Sequence, residues 1–188
     1  VESITRAGYS DDMASYPSHQ GTAPMPPTQA PILRAIRPDD ADDIARLAGA
    51  LNQHFGVTEP AFPPDAIAPL LQGDPPFLAG YVAVAGGQVV AYALTQKFFD
   101  TDTGTMATWM LDLFVDAPHR GQGTGRQIIA AIARDADAAG QRMVALAVYR
   151  SNPARRLYDR IGAALPEEAL VYELRDAALR TLAQEAAA

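Results

Sequence analysis

Cysteine is absent from all 188 residues. That excludes disulfides, a thiolate zinc site and a cysteine nucleophile, so any acyl transfer here proceeds without an enzyme thioester. Histidine is scarce, and His19, His54 and His119 lack the close spacing of a metal site, so no metal is expected. No apolar run approaches the roughly 20 residues of a membrane-spanning helix, and the first residues lack the basic flank and apolar stretch of a signal peptide. The expectation is a soluble cytoplasmic protein with no membrane partner. Basic residues number 15 against 22 acidic ones, and the formal charge of -7 opposes a nucleic-acid partner while suiting cationic ones. Two nucleotide signatures are also missing: there is no Gly-Lys-Ser/Thr, and no Gly-x-Gly-x-x-Gly.

What is present is apolar content of 48%, enough in a chain of this length for one well-buried core. Residues 1–30 are rich in Ser, Pro, Gly and Thr without helical or strand period, and read as a flexible N-terminal arm. Residues 31–188 read as a single domain. Ile32 to Arg37 reads as a strand, and Pro38-Asp39-Asp40 starts a helix carrying Ile44, Leu47, Ala48 and Leu51, ended by Pro60, Pro63 and Pro64. Asp65 to Leu71 is a short helix. Tyr81–Val84 and Val89–Leu94 form a hairpin about Gly86-Gly87, and Met106 to Val115 is a third strand. Gly121 to Ala139 is a helix with Ile128, Ile129, Ile132 and Ala136 on one face. Strands over Met143–Tyr149 and Leu170–Leu174, and helices over Pro153–Ile161 and Asp176–Ala188, complete the order.

The stretch from Leu113 to Arg126 carries the clearest chemistry. A strand runs into Arg120-Gly121-Gln122-Gly123-Thr124-Gly125-Arg126, which opens a helix, so backbone N–H groups and the helix dipole converge beside two arginines. Such a place suits a pyrophosphate, and glycine lets the backbone approach it. The plainer alternative is an ordinary strand-to-helix loop.

Arg120, Gly123 and Gly125 match the Arg/Gln-x-x-Gly-x-Gly/Ala pyrophosphate loop of the GNAT N-acetyltransferases. Ser151-Asn152-Pro153-Ala154-Arg155-Arg156-Leu157-Tyr158, followed by Gly162-Ala163, is similar to that family's second segment, with Ser151 where asparagine is usual and Asn152 beside it. The chain therefore resembles this family from about Ile32 to Leu174. The resemblance implies an α/β (α+β) GNAT fold, a central mixed, mostly antiparallel sheet flanked by helices. It also implies acetyl-CoA as co-substrate, held by Leu113, Phe114, Val115, the Arg120–Arg126 turn, Ser151 and Asn152. Direct attack by an amine in a ternary complex follows, with backbone N–H groups of Leu113–Val115 polarising the thioester carbonyl and Tyr158 as the acid for the departing thiolate. The alternative for Tyr158 is an aromatic packed in the core.

Asp112 sits in the apolar run Trp109–Val115, where alternation groups it with Met110 and Phe114. A carboxylate there needs a partner; it would orient a cationic amine or accept its proton, and the alternatives are a solvent-facing strand position or a local hydrogen bond. His54, at the end of the first helix, is a candidate for the acceptor pocket, or a histidine placed by the helix dipole. Asp116 reads as a turn residue, Tyr92, Phe98, Phe99 and Trp109 as a set of core and pocket-wall aromatics that sequence does not separate, and Asp39, Asp40, Asp42 and Asp43 as a solvated charge cluster at a helix start.

Among family members the chain is most similar to diamine and polyamine acetyltransferases, through Leu111-Asp112-Leu113-Phe114-Val115, Leu157-Tyr158 and Tyr172-Glu173-Leu174. Those enzymes carry Glu-Asp where this chain has Leu111-Asp112. A small-molecule amine is the expected partner, and a homodimer the expected assembly. The competing reading is a module that binds acyl-CoA as a sensor or scaffold without transferring the acyl group.

Overall fold

The structure, a computed structural model, describes residues 30–57, 62–166 and 170–186. The expected arm over residues 1–30 and the helix-ending Pro60 therefore lie outside the described residues, Ala30 excepted. Two compact units divide the chain, one ending at Ala154 and one beginning at Arg155.

In the first unit, five strands lie in the order β1 (Ile32–Ala35), β2 (Ala79–Ala85), β3 (Gln88–Asp100), β4 (Thr105–Val115) and β5 (Val144–Leu146). The first four pair antiparallel and β5 joins β4 in parallel, which is the mixed sheet expected. Helix α1 (Ala41–His54) packs Ile44, Leu47 and Ala48 onto Val82, Tyr92, Leu94 and Phe114. Ile44 and Leu47 are sealed from solvent, and burial of each contributes about 1.5–3 kcal/mol. Helix α2 (Pro64–Ile67) and a following 3-10 turn extend this layer with Ile67 and Leu71. Helix α3 (Thr124–Ala138) covers the opposite face with Ile128, Ala131, Ile132 and Ala136. That sheet face is made largely of alanine, including Ala83, Ala91 and Ala93. At Gly80 the strands approach so closely that a Cβ would stand 2.0 Å from the Ala93 carbonyl oxygen, which excludes every other residue.

Three expectations are corrected in this unit. Helix α1 stops at His54 without help from the later prolines; Gly56, at φ 70°, lies just beyond it, and Pro64 opens α2 instead. Asp40 is not a solvated charge. It is buried, takes two 2.7 Å hydrogen bonds from Arg34 and one from the Arg37 N–H, and so ties β1 to the start of α1. The third correction concerns β4. Its register against β3 slips by one residue between the Leu94–Asp112 and Thr95–Met110 pairs, leaving Leu111 as a β-bulge. Asp112 and Phe114 therefore share the α1 face with Leu94 and Tyr92, whereas Met110, paired with Thr95, faces α3.

The second unit holds α4 (Arg155–Arg160) and α5 (Asp176–Glu185), each shorter than its sequence pattern. Leu170–Leu174 does not form the expected strand. Tyr172 is 88% exposed and Leu170 73%, and apolar residues without a ladder partner do not make a strand on propensity alone. No helix among the described residues is long and apolar enough to cross a membrane.

Candidate functional site

The bulge at Leu111 coincides with the end of strand pairing on the other side of β4. β5 pairs with Thr108, Trp109 and Met110 only, through Val144, Ala145 and Leu146. From Asp112 onward β4 keeps its ladder with β3, while the β5 pairing ends at Met110. Leu113, Phe114 and Val115 thus lie on a strand edge that no strand among the described residues covers on the β5 side. An extended ligand can pair with such an edge as an added strand.

That edge leads into the glycine turn. Asp116 accepts a hydrogen bond from the Ala117 N–H at 2.8 Å and caps a 3-10 turn through His119, as a turn residue should. Gly121 and Gly123 both adopt positive φ, and Gly123, at φ 85°, is the residue from which α3 starts. The Gly123 carbonyl accepts the first helical hydrogen bond, from the Gln127 N–H at 3.0 Å. The N–H groups of Thr124, Gly125 and Arg126 have no acceptor within the helix and point out of its N-terminus. No acidic residue occupies that first turn, and Arg126 is exposed there. A Cβ built on Gly121 or Gly123 meets no protein atom within 4 Å, so there is room for an anion in front of the helix. Thr124 is itself buried, which leaves its backbone as the binding group. The Gln122 side chain turns back to donate to the Pro118 carbonyl at 3.3 Å.

Arg120 behaves differently from the free phosphate ligand its position suggests. Its Nε donates to the Val115 carbonyl at 2.8 Å, and its guanidinium lies 5.2 Å from the centroid of the Phe114 ring. It braces the exit of β4 and carries positive charge at the foot of the open edge. Burial lowers the His54 pKa from its ordinary value, and the Arg120 charge lowers it further, so the imidazole is held neutral at neutral pH. His54 packs edge-on to Phe55 at 5.4 Å, and Phe55 edge-on to Tyr149 at 5.7 Å. These rings join the end of α1 to the segment after β5, a relationship that spacing in the sequence could not reveal. His119 is half-buried, and its Nδ1 has no hydrogen-bond partner among the described residues.

Asp112 is 8% exposed and lies on the α1 face beside the bulge. The fully buried Tyr92 donates its hydroxyl proton to Asp112 Oδ2 at 3.2 Å. Burial first, then the Asp112 charge, pushes the Tyr92 phenol well above its usual range, so the hydroxyl keeps its proton at neutral pH. Asn152 has its carboxamide oxygen engaged by the Ala154 N–H at 2.8 Å, closing the turn after exposed Ser151. Tyr158, in the second unit, is half-buried on α4, and burial raises its pKa, so it is a neutral phenol at physiological pH. Among the described residues no group of His, Cys, Asp and Glu could hold a metal ion. A cavity of 640 Å³ lies elsewhere, on the α3 face, near Tyr81, Thr108 and Ala139 at the far end of α3 from the glycine turn.

Residues 45–163 match the model of the acetyltransferase (GNAT) family. Similar solved structures include an integron cassette protein from the mobile metagenome of V. cholerae, 22% identical over 83% of this chain and 99% of that one, with a TM-score of 0.70. A ribosomal-protein-alanine N-acetyltransferase from Brucella melitensis biovar Abortus 2308 is 24% identical over 77% of this chain and 99% of its own, with a TM-score of 0.61. An aminoglycoside acetyltransferase from an uncultured soil metagenomic sample, in complex with sisomicin, is 16% identical over 78% and 95%, with a TM-score of 0.64. No curated protein sequence matches the chain.

Proposed function

The chain belongs to the GNAT acetyltransferase family, and from that premise we propose that it transfers an acetyl group from acetyl-CoA to a primary amine of a small molecule, with diamines and polyamines as the favoured acceptors. The observation that carries this reading is the continuous path formed by the open β4 edge from Leu111 to Val115 and the glycine turn at the start of α3. One end suits an extended amide-bearing arm, the other a pyrophosphate. The acidic formal charge of -7 supports a cationic acceptor.

Acetyl-CoA supplies an activated acyl group whose carbon–sulfur bond breaks as the amine nitrogen bonds to the carbonyl carbon. The protein's part is positioning, charge stabilisation and proton transfer. Backbone N–H groups on the Leu113–Val115 edge donate to the carbonyl oxygen as negative charge gathers there. Arg120, Gly121, Gln122, Gly123, Thr124, Gly125 and Arg126 hold the pyrophosphate, with Ser151 and Asn152 flanking. Asp112 accepts the ammonium proton, directly or through water, and so leaves the nitrogen lone pair free to attack. His54 forms part of the acceptor pocket. Tyr158 gives its proton to the leaving thiolate, a role supported by its place in the second motif and by its neutral phenol. We further propose residues 31–188 as the acetyltransferase domain following an arm at 1–30, and a cytoplasmic homodimer as the working form. Half-exposed Leu179 and Leu182 on α5 support a partner surface, and the lack of cysteine accords with any compartment's redox state.

The test is CoA release from acetyl-CoA in the presence of spermidine, putrescine, an aminoglycoside or a lysine peptide. Saturable release with a diamine or polyamine is expected. Binding of acetyl-CoA without release to any amine would favour the sensor or scaffold role, and failure to bind acetyl-CoA would defeat the proposal.

A further inference from the structure

Tyr92 lies in the α1-face core with the buried apolar residues Ile44, Leu47, Val82, Leu94 and Phe114. Phenylalanine would fill the same shape, and a hydroxyl carried into such a place costs free energy unless it is bonded. The bond that hydroxyl makes is to Asp112. Asp112 in turn owes its place on this face to the bulge at Leu111, which turns it away from Met110 at the point where β5 leaves β4. Its cross-strand partner is Leu94, and Phe114 lies two residues along the same face.

We infer that Tyr92 is a positioning residue for acyl transfer: its hydroxyl holds the Asp112 carboxylate ionised and fixed in orientation at the bulge where the amine must lose its proton. This rests on the proposed role of Asp112 as proton acceptor. Other charged groups near the α1 face include two ion pairs. Arg34 and Asp40 pair with each other at the β1 edge, and Arg46 of α1 binds Asp43 and the Val89 carbonyl. His54 and Arg120 stand beyond Phe114, towards the glycine turn, and Tyr149 meets Phe55 there. From β3, Tyr92 is the group that touches Asp112.

The sign of the effect follows from which form the hydroxyl favours. Donation stabilises the carboxylate, so removing it raises the Asp112 pKa and moves the acid limb of kcat/KM to higher pH. In Tyr92→Phe that limb is expected to rise by about one pH unit, a tenfold change in the proton equilibrium. Incorporating 3-fluorotyrosine at position 92, whose phenol is a stronger donor, moves the limb the other way. Acetyl-CoA affinity, read from the fluorescence of Trp109, stays at the wild-type value in both, because both changes leave the backbone N–H groups of the open edge and the glycine turn in place. A merely structural Tyr92 would lower the melting temperature in Tyr92→Phe and leave the pH profile in place; coincident profiles overturn the inference. Should Tyr92→Phe fail to fold, the fluorotyrosine protein decides, and an unmoved limb there overturns the inference equally. Asp112→Asn separates the two levels. If it keeps both wild-type turnover and the acid limb, the role of Asp112 itself fails; if it loses them while the Tyr92 variants do not shift the limb, the Tyr92 inference alone fails.

Discussion

The Arg120 guanidinium stands over the Phe114 ring, 5.2 Å from its centroid, while its Nε is bonded to the next carbonyl along β4. A cation over an aromatic face is attracted by the negative face of the ring. Its charge is felt at the end of α1.

His54 is therefore expected to titrate below the ordinary histidine value, because burial and then Arg120 both disfavour the imidazolium. Arg120→Gln removes the second cause and should raise the His54 pKa towards about 6.5 without reaching it. An NMR titration of the imidazole carbon-bound protons, with His54→Gln for assignment, reads this directly. An unmoved His54 would mean that Arg120 does not act on it.

Gly123→Ala places a side chain at φ 85° in front of the α3 N-terminus. The backbone cost is about 1 kcal/mol, as at any such glycine. Gly104→Ala, in the β3–β4 turn at φ 67° and equally open, is the control. Both variants should lose similar stability in thermal melts, but Gly123→Ala alone should weaken acetyl-CoA binding, by about tenfold if one backbone contact to the anion is lost. Equal affinities in the two would remove the turn from the binding site.

The Arg34–Asp40 pair makes stability depend on acid. Burial alone would raise the Asp40 pKa, but the hydrogen bonds from Arg34 and from the Arg37 N–H outweigh it and leave the pKa below its unfolded value. A depressed carboxylate contributes stability that is complete above the unfolded pKa of about 3.9 and is lost as pH falls through the folded one. Arg34→Met leaves the buried carboxylate with two hydrogen bonds fewer and should cost about 2 kcal/mol near neutral pH. Its melting temperature should also fall less steeply than that of the wild type between neutrality and acid, and parallel curves would contradict the linkage.

Tyr158→Phe removes the proposed proton donor and keeps the ring. A loss of about 100-fold or more in turnover, with acetyl-CoA affinity retained, is the expected outcome. Because burial raises the phenol pKa above its usual value of about 10, any alkaline limb due to Tyr158 should lie beyond that pH. Full turnover in Tyr158→Phe would assign the ring to packing alone.

Much of this organisation was legible in the sequence because period and punctuation agree. The hairpin of β2 and β3 follows from apolar runs about Gly86-Gly87, and α3 from its apolar repeat after three glycines. The glycine turn was legible for the same reason, since positive φ needs glycine and the helix start needs no distant partner. Asp40 was misread because its partner, Arg34, lies on another element, and charge patterning alone shows a cluster rather than a buried pair. The Leu170–Leu174 segment has strand composition but pairs with no strand among the described residues. The contact of His54 and Phe55 with Tyr149 joins chain segments far apart, and nothing local encodes it. The bulge was hidden because Met110, Asp112 and Phe114 are all buried, so counting by twos through Leu111 looks undisturbed although two of them face one side and the third faces the other.

β4 is thus a strand written in two frames, one up to Met110 and one from Asp112, with Leu111 as the spacer between them. Changing the size of Leu111 alters only packing. Deleting it merges the frames, exchanging Trp109 and Met110 between the two faces while β5 keeps its hold on the same stretch of chain. Engineering by segment exchange must therefore transplant β4 with its spacer and with the matching part of β3, because a donor strand one residue shorter would arrive inside out on the N-terminal side of the junction.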